Sequence, residues 1–240
     1  MCGRFADYYE TEELVEEFEV DLVAHAPEPS WNIAPTAQIA VVRATAPEGK
    51  PWLRELRGAR WGLVPSWSKD AAGAARLINA RSETVTVKPS FRAAARGRRA
   101  LIPAAGYYEW QSGPSGVKTP YFLHPPQDRP VAMAGLYEWW RPPTAAGAAQ
   151  SGVPGERAEA LFSATVITRA ATDSTGRIHD RMPLMVPREA WADWLDPDLR
   201  DPNDVRALIA SLPDPELVPR RVSRAVGSVK NNGPDLIAPV

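Results

Sequence analysis

Short apolar runs, each closed by a turn signal, constrain this chain more than any other feature. Six recur: IAVVR at 39–43, WGLVP at 61–65, ALIPAAGYYEW at 100–110, PYFLH at 120–124, PVAMAGLYEWW at 130–140 and LFSATVITRA at 161–170. Runs this short, rich in β-branched and aromatic residues and bounded by Gly and Pro, suit strands better than helices. With 25 prolines in 240 residues, the connections between them are turns and short loops. The pattern predicts an α+β chain built on one curled, mostly antiparallel, barrel-like sheet, with helices at its periphery.

Helical periodicity is confined to two places. In Tyr9–Val20 (YETEELVEEFEV), Leu14, Val15 and Phe18 fall at helical spacing among six glutamates, the pattern of an acidic surface helix. Pro187–Leu212 reads as two helices, the first packed by Trp191, Trp194 and Leu195 and the second capped within Asp201–Asp204. Arg141–Ala158 (RPPTAAGAAQSGVPGERA) has no periodicity and is expected to be a mobile surface loop rather than a linker between domains. One domain over 1–240 is therefore expected, and 44% hydrophobic residues are enough to give it a sizeable core. The sequence has no internal repeat, Walker loop, Rossmann glycine pattern or HExxH motif.

Other classes are excluded by what the chain lacks. No apolar run approaches the roughly 20 residues of a membrane span, and no basic stretch followed by an apolar one opens the chain. A cytoplasmic protein is expected, nucleoid-associated if bacterial, with no membrane partner. A single cysteine cannot form an internal disulfide or a cysteine-rich zinc site. The net charge of −1 argues against a wholly basic nucleic-acid coat but leaves room for a local basic groove.

Several residues have the chemistry for a site. If Met1 is removed, Cys2 carries an α-amine and a thiol on one residue, with reference pKa values of about 7.7–8.0 and 8.5; otherwise it is an ordinary buried cysteine. His179, in IHDRMP, is one of three histidines and lies where an apolar run gives way to charged residues; it serves proton transfer or structure. Glu109, in GYYEW, is surrounded by aromatic residues, and burial would suit it to acid/base work, although strand alternation could equally expose it. A second YEW at 137–139 shows how little the tripeptide says alone. Asn79 and Arg81, in INARSE, present an amide and a guanidinium at strand spacing, suited to sugar and phosphate contacts. Trp61 and Trp67, in WGLVPSW, bracket a proline turn and read either as core or as a stacking platform for bases. Arg92, Arg96, Arg98 and Arg99, and then Arg220, Arg221, Arg224 and Lys230, form basic groups that either meet phosphates or are solvated surface.

Taken in order, MCGRF, WNIAPT, WGLVPSW, INARSE, ALIPAAGYYEW, IHDRMP and VSRAVGSVKNNGPDLIAPV resemble the SOS-response-associated peptidase family along the whole chain. The resemblance implies a curled β-sheet domain with a groove leading single-stranded DNA to the N-terminus, where abasic sites are cross-linked covalently. Carried over position by position, it makes Cys2 the nucleophile, Asn79 an orienting group, Glu109 the acid/base and His179 a second proton-transfer group. Arg4 and Arg81 match phosphate contacts, and Trp67 an aromatic that packs on bases. Ser68 departs from relatives that carry a second tryptophan there. The implied chemistry opens the abasic sugar, forms a Schiff base with the Cys2 amine, and closes a thiazolidine with the thiol before the imine can cleave the strand as a lyase would. No metal or organic cofactor is needed, and a monomer suffices. Two other readings stay open: a Cys2-dependent peptidase, in the narrow case only releasing Met1, and a non-covalent single-strand-binding module.

Overall fold

Alternation along five strands closes a ring. The computed structural model describes residues 2–46, 51–113, 116–143, 160–172 and 176–240. Strand β4 (Gln38–Thr45) pairs antiparallel with β5 (Leu53–Trp61) and with β7 (Arg99–Ala104). β7 pairs with β10 (Val131–Trp140), and β10 with β11 (Leu161–Ala170). The ring closes where β11 meets β5 in parallel, Ser163 opposite Arg60 and Ala164 opposite Trp61. Alternate residues such as Val41, Ala59, Trp61, Ile102, Met133 and Ala164 form one buried cluster inside it. Their neighbours Val42, Leu56, Leu101, Ala134 and Ile167 face the other way, into a cluster shared with the helices. The period of two thus places both cores.

The remaining strands extend or cover this ring. β2 (Leu22–His25) edges β5, β6 (Asn79–Arg81) runs parallel to β11, and β12 (Arg181–Pro183) pairs with the end of β11. A second, five-stranded sheet has the order β13 (Val218–Arg221), β9 (Lys118–His124), β8 (Gly106–Ser112), β1 (Phe5–Asp7), β3 (Ser30–Ile33). Parallel pairs are confined to β2–β5, β5–β11 and β6–β11 among the described residues. The α+β, mostly antiparallel expectation holds, with two sheets where one was expected.

The apolar runs map onto strands with two exceptions. ALIPAAGYYEW divides between β7 and β8, one in each sheet, with Ala105 between them. A Cβ on the next residue, Gly106, would lie 2.5 Å from the Leu123 carbonyl oxygen, so β8 and β9 approach closely there. WGLVP does not continue as a strand: β5 stops at Trp61, and Gly62 has φ +123 with the space for a Cβ only 2.6 Å from the Ala74 carbonyl oxygen. β5 itself was not legible because LRELRGAR is charged. Its charges are accommodated at one mouth of the ring, where Glu55 pairs with Arg43 and with Arg57 at 3.3 Å. The Arg57 guanidinium also lies 4.4 Å from the Trp139 ring centroid.

Helices lie outside the ring, as expected. α1 (Thr11–Glu17) has a capping box from Glu10 and Glu13 and is followed by buried Phe18, stacked on Trp191 at 4.7 Å. α2 (Arg92–Ala95), α3 (Trp191–Leu195) and α4 (Pro202–Ser211) lie there too, with Asp201 capping α4 through the Asn203 amide. Trp191, Trp194 and Leu195 are core. Arg99 is buried rather than a surface cation: its guanidinium donates to the carbonyls of Ala95 at 2.8 Å, Trp194 at 2.8 Å and Leu199 at 3.0 Å, gathering the ends of α2 and α3. From residue 144 on, the expected loop 141–158 lies outside the described residues. No helix among the described residues is long and apolar enough to cross a membrane.

Asp7 on β1 is buried, and burial pushes its carboxyl up to about 8, against a hydrogen bond from the Tyr9 amide that pulls it down. The folded state therefore holds a proton that the unfolded chain releases near pH 4. Asp7 favours folding below about pH 4, and that contribution is lost as pH rises toward 8. Tm measured across this range should fall for the parent and show a shallower fall for Asp7→Asn, with the variant the more stable at pH 8; equal slopes would refute the assignment.

Candidate active site around Cys2

The first residues are an interior strand. Phe5 of β1 pairs with Ile33 of β3 on one side and Tyr107 of β8 on the other. The Tyr108 amide donates to the Arg4 carbonyl oxygen at 2.8 Å, so the ladder continues and residues 2–4 run beside the strand that carries Glu109. Cys2 turns into the ring cluster and is fully buried among Phe5, Trp61 and Tyr107. From the opposite side β6, set by its parallel pairing of Asn79 with Val166, brings the Asn79 side-chain amide to donate to the Cys2 carbonyl oxygen at 2.6 Å. Glu109, buried, stands two residues after Tyr107 on the same face of β8.

Three acids share this space. Burial pushes the Cys2 thiol above its ordinary range, and the charge of Glu109 pushes it further. Burial likewise raises the Tyr107 phenol, with contributions from Cys2 and then Glu109. A thiol held in its protonated form is a poor peptidase nucleophile until something takes its proton. Among the described residues, no group of three or more His, Cys, Asp or Glu side chains is placed to hold a metal ion.

The other expected site residues are placed as follows. His179 lies on a segment tied to β8 by the Gln111 side chain, which donates to the Arg177 carbonyl oxygen at 3.0 Å. Its Nδ1 is 3.0 Å from the Arg181 amide and 2.9 Å from Asp180 Oδ1. A neutral ring accepts from the amide, and a protonated ring offers the same nitrogen to the carboxylate, so both protonation states have a partner. Arg81 is exposed at the end of β6, two residues from Asn79. Trp67 is 65% exposed, on a loop held by the Trp140 indole, which donates to the Ser68 carbonyl oxygen at 2.8 Å. Trp140 pairs with Leu161, five positions along β11 from Val166 opposite Asn79, which is about 17 Å at strand rise. The loop of Trp67 is thus held at the other end of β11 from Asn79.

One expectation is corrected. Trp61 is no stacking platform: it is fully buried, packs edge-on to Phe5 at 5.1 Å, and donates its indole N–H to the Ile78 carbonyl oxygen at 2.9 Å. Arg4, half-buried, is engaged within the protein. Its guanidinium donates to Asn32 Oδ1 at 2.7 Å and to the Val226 carbonyl oxygen at 2.8 Å, tying the N-terminus to the closing segment. Asn32, buried, also donates to the carbonyls of Asn231 at 2.7 Å and Ser228 at 3.0 Å. The motifs MCGRF, WNIAPT and VSRAVGSVKNNG thus meet in one knot. In the second YEW, Glu138 pairs with Arg98 at 2.8 Å.

A family model described as SOS response associated peptidase (SRAP) matches residues 1–229. The chain belongs to this family. Abasic site processing protein YoqW of Bacillus subtilis (strain 168) is 34% identical over 239 residues, 99% of each chain. Abasic site processing protein YedK of Escherichia coli (strain K12) is 30% identical over 248 residues, 100% of each chain. A solved structure of a Bacteroides thetaiotaomicron protein matches over 100% of both chains with a TM-score of 0.80 at 18% identity, a likeness of fold. Within this SRAP chain, sequence reasoning passed over Tyr107 and Asn32. Only Tyr107 carried a usable signal, its spacing of two from Glu109 in an apolar strand.

Asn32→Ala should leave the Arg4 guanidinium with the Val226 carbonyl alone and remove the side-chain donor from the Asn231 and Ser228 carbonyls, lowering stability by on the order of 2–3 kcal/mol. For a chain of this length that is a fall in Tm of roughly 5–10 °C. A melting curve unchanged from the parent would show that the knot contributes nothing.

Proposed function

We propose that this SRAP protein processes abasic sites in DNA, as its relatives are named for doing, by bonding covalently to the open sugar through Cys2. The observation that carries this reading is the convergence on Cys2 of the Asn79 side chain, 2.6 Å from its carbonyl oxygen, and of the strand bearing buried Glu109. Once Met1 is removed, the α-amine freed at Cys2 is adjacent to its own thiol and within the reach of both groups.

The order of steps follows from the chemistry of these groups. Glu109 assists opening of the hemiacetal to the aldehyde. The neutral amine then attacks C1′, water leaves, and an imine forms. A protonated thiol does not compete with the amine at this stage. Asn79 holds the Cys2 carbonyl so that the amine is aimed, and His179 moves the proton that water departure requires. Thiol addition to the imine carbon closes a five-membered thiazolidine, which removes the electron sink that β-elimination needs and leaves the strand whole. Single-stranded DNA is the substrate form the exposed features fit: Arg81 meets a flanking phosphate and Trp67 stacks on a base. The peptidase reading is weaker because the buried thiol is held protonated.

Incubation of Met1-processed protein with a single-stranded oligonucleotide containing one abasic site should give an adduct that survives denaturation without a reducing agent. Cys2→Ala should give none, and Cys2→Ser should give at most an imine that reduction must trap. A normal adduct from Cys2→Ala would sink the proposal. Trp67→Ala should weaken binding by about 1–3 kcal/mol, roughly 5- to 150-fold. Arg81→Ala should lower the salt slope of binding by about one counterion, and an unaltered slope would remove Arg81 from the phosphate path.

A further inference from the structure

We infer that Tyr107 carries the Cys2 thiol proton to Glu109 when the thiazolidine closes, an inference that rests on the Cys2 reading above. Tyr107 pairs with Phe5 in the β1–β8 ladder, is almost wholly buried in the cluster that contains Cys2, and shares its strand face with Glu109 two residues on. The Tyr108 amide bond to the Arg4 carbonyl at 2.8 Å fixes this stretch of β8 against the residues that follow Cys2. The three groups also sense one another's charge: Glu109 acts on Cys2, and both act on the Tyr107 phenol.

The closing step needs such a carrier. The thiol is buried and protonated, and it must lose its proton to become a nucleophile in a space that excludes bulk base. A phenol both donates and accepts, so it can pass a proton on without holding a charge. The S–H bond of Cys2 breaks and its proton moves to the Tyr107 oxygen, while the phenol's own proton moves to the Glu109 carboxylate. The new Sγ–C1′ bond forms, and the C=N π pair returns to nitrogen, neutralising the iminium. The positive iminium and negative carboxylate become a neutral thiazolidine and a neutral carboxyl, so charge and atoms balance. A phenylalanine at position 107 keeps the ring's packing and lacks only the carrier.

The imine and the thiazolidine can be counted separately, because borohydride adds two hydrogens to the first and leaves the second. Processed parent and Tyr107→Phe are mixed with abasic single-stranded oligonucleotide, quenched with borohydride at intervals, and read by intact mass and by strand cleavage. Tyr107→Phe should close the ring on the order of a hundredfold more slowly. Its reduced-imine share and strand cleavage should both rise, and the lag should shrink as pH is raised and solvent base takes over. Leu123→Val, a core change opposite Tyr107 on β9, should keep the parent's ratio of imine to thiazolidine. The same ratio and pH dependence in Tyr107→Phe as in the parent overturns the relay, as does an equal shift in Leu123→Val. A parent that forms no adduct, or a Cys2→Ala variant that does, overturns the underlying Cys2 reading instead.

Discussion

The hydrogen bond from the Tyr108 amide to the Arg4 carbonyl, with Phe5 paired to Ile33 on one side and Tyr107 on the other, holds the beginning of the chain inside a sheet. Chain termini usually fray, because nothing offsets the entropy of ordering them. Here β1 is flanked on both edges, its backbone groups have partners, and Phe5 fills space between Trp61 and Tyr107. The position of Cys2 follows from that pairing. A terminal nucleophile is precise only when the strand behind it cannot slip, and a one-residue slip of β1 would exchange the faces of Phe5 and Ala6.

Other parts of the molecule support the same strand from outside it. Arg4 and Asn32 fasten it to the carbonyls of the closing segment, and that segment covers the face of the second sheet turned away from Cys2. On the near side, the ring contributes Trp61 as a wall and β6 as the carrier of Asn79. Burial on both faces makes charge expensive along β1 and β8, which is why Asp7 and Cys2 retain their protons well above their ordinary ranges. Low dielectric also strengthens whatever interactions do form among Cys2, Tyr107 and Glu109.

Much of this was legible in the sequence where one period dominated. Runs such as IAVVR and LFSATVITRA became strands because alternation and apolar content agreed, and Trp191 and Trp194 became core for the same reason on a helix. LRELRGAR was opaque because its inward charges depend on partners in other strands, Arg43 and Trp139, which no local window contains. Trp61 and Trp67 look alike in WGLVPSW. They part because Gly62 turns the chain at a positive φ, leaving one indole inside the ring and the other on a loop. Arg99 read as a surface cation, and Arg4 gave no sign of its bond to Val226, because long-range carbonyl acceptors leave no trace near them. The grouping of Cys2, Asn79 and Glu109 was available only through resemblance, since 77 positions separate Cys2 from Asn79.

The knot between Arg4 and Val226 spans 222 positions, so its two halves leave the ribosome far apart in time. At synthesis rates of about 5–20 residues per second, roughly 10–45 s pass between them. β3 and then β8 emerge within that interval and can pair with β1, but the closing segment cannot yet lie beneath it. The bonds that Arg4 and Asn32 make to that segment are therefore among the last contacts on β1 to form.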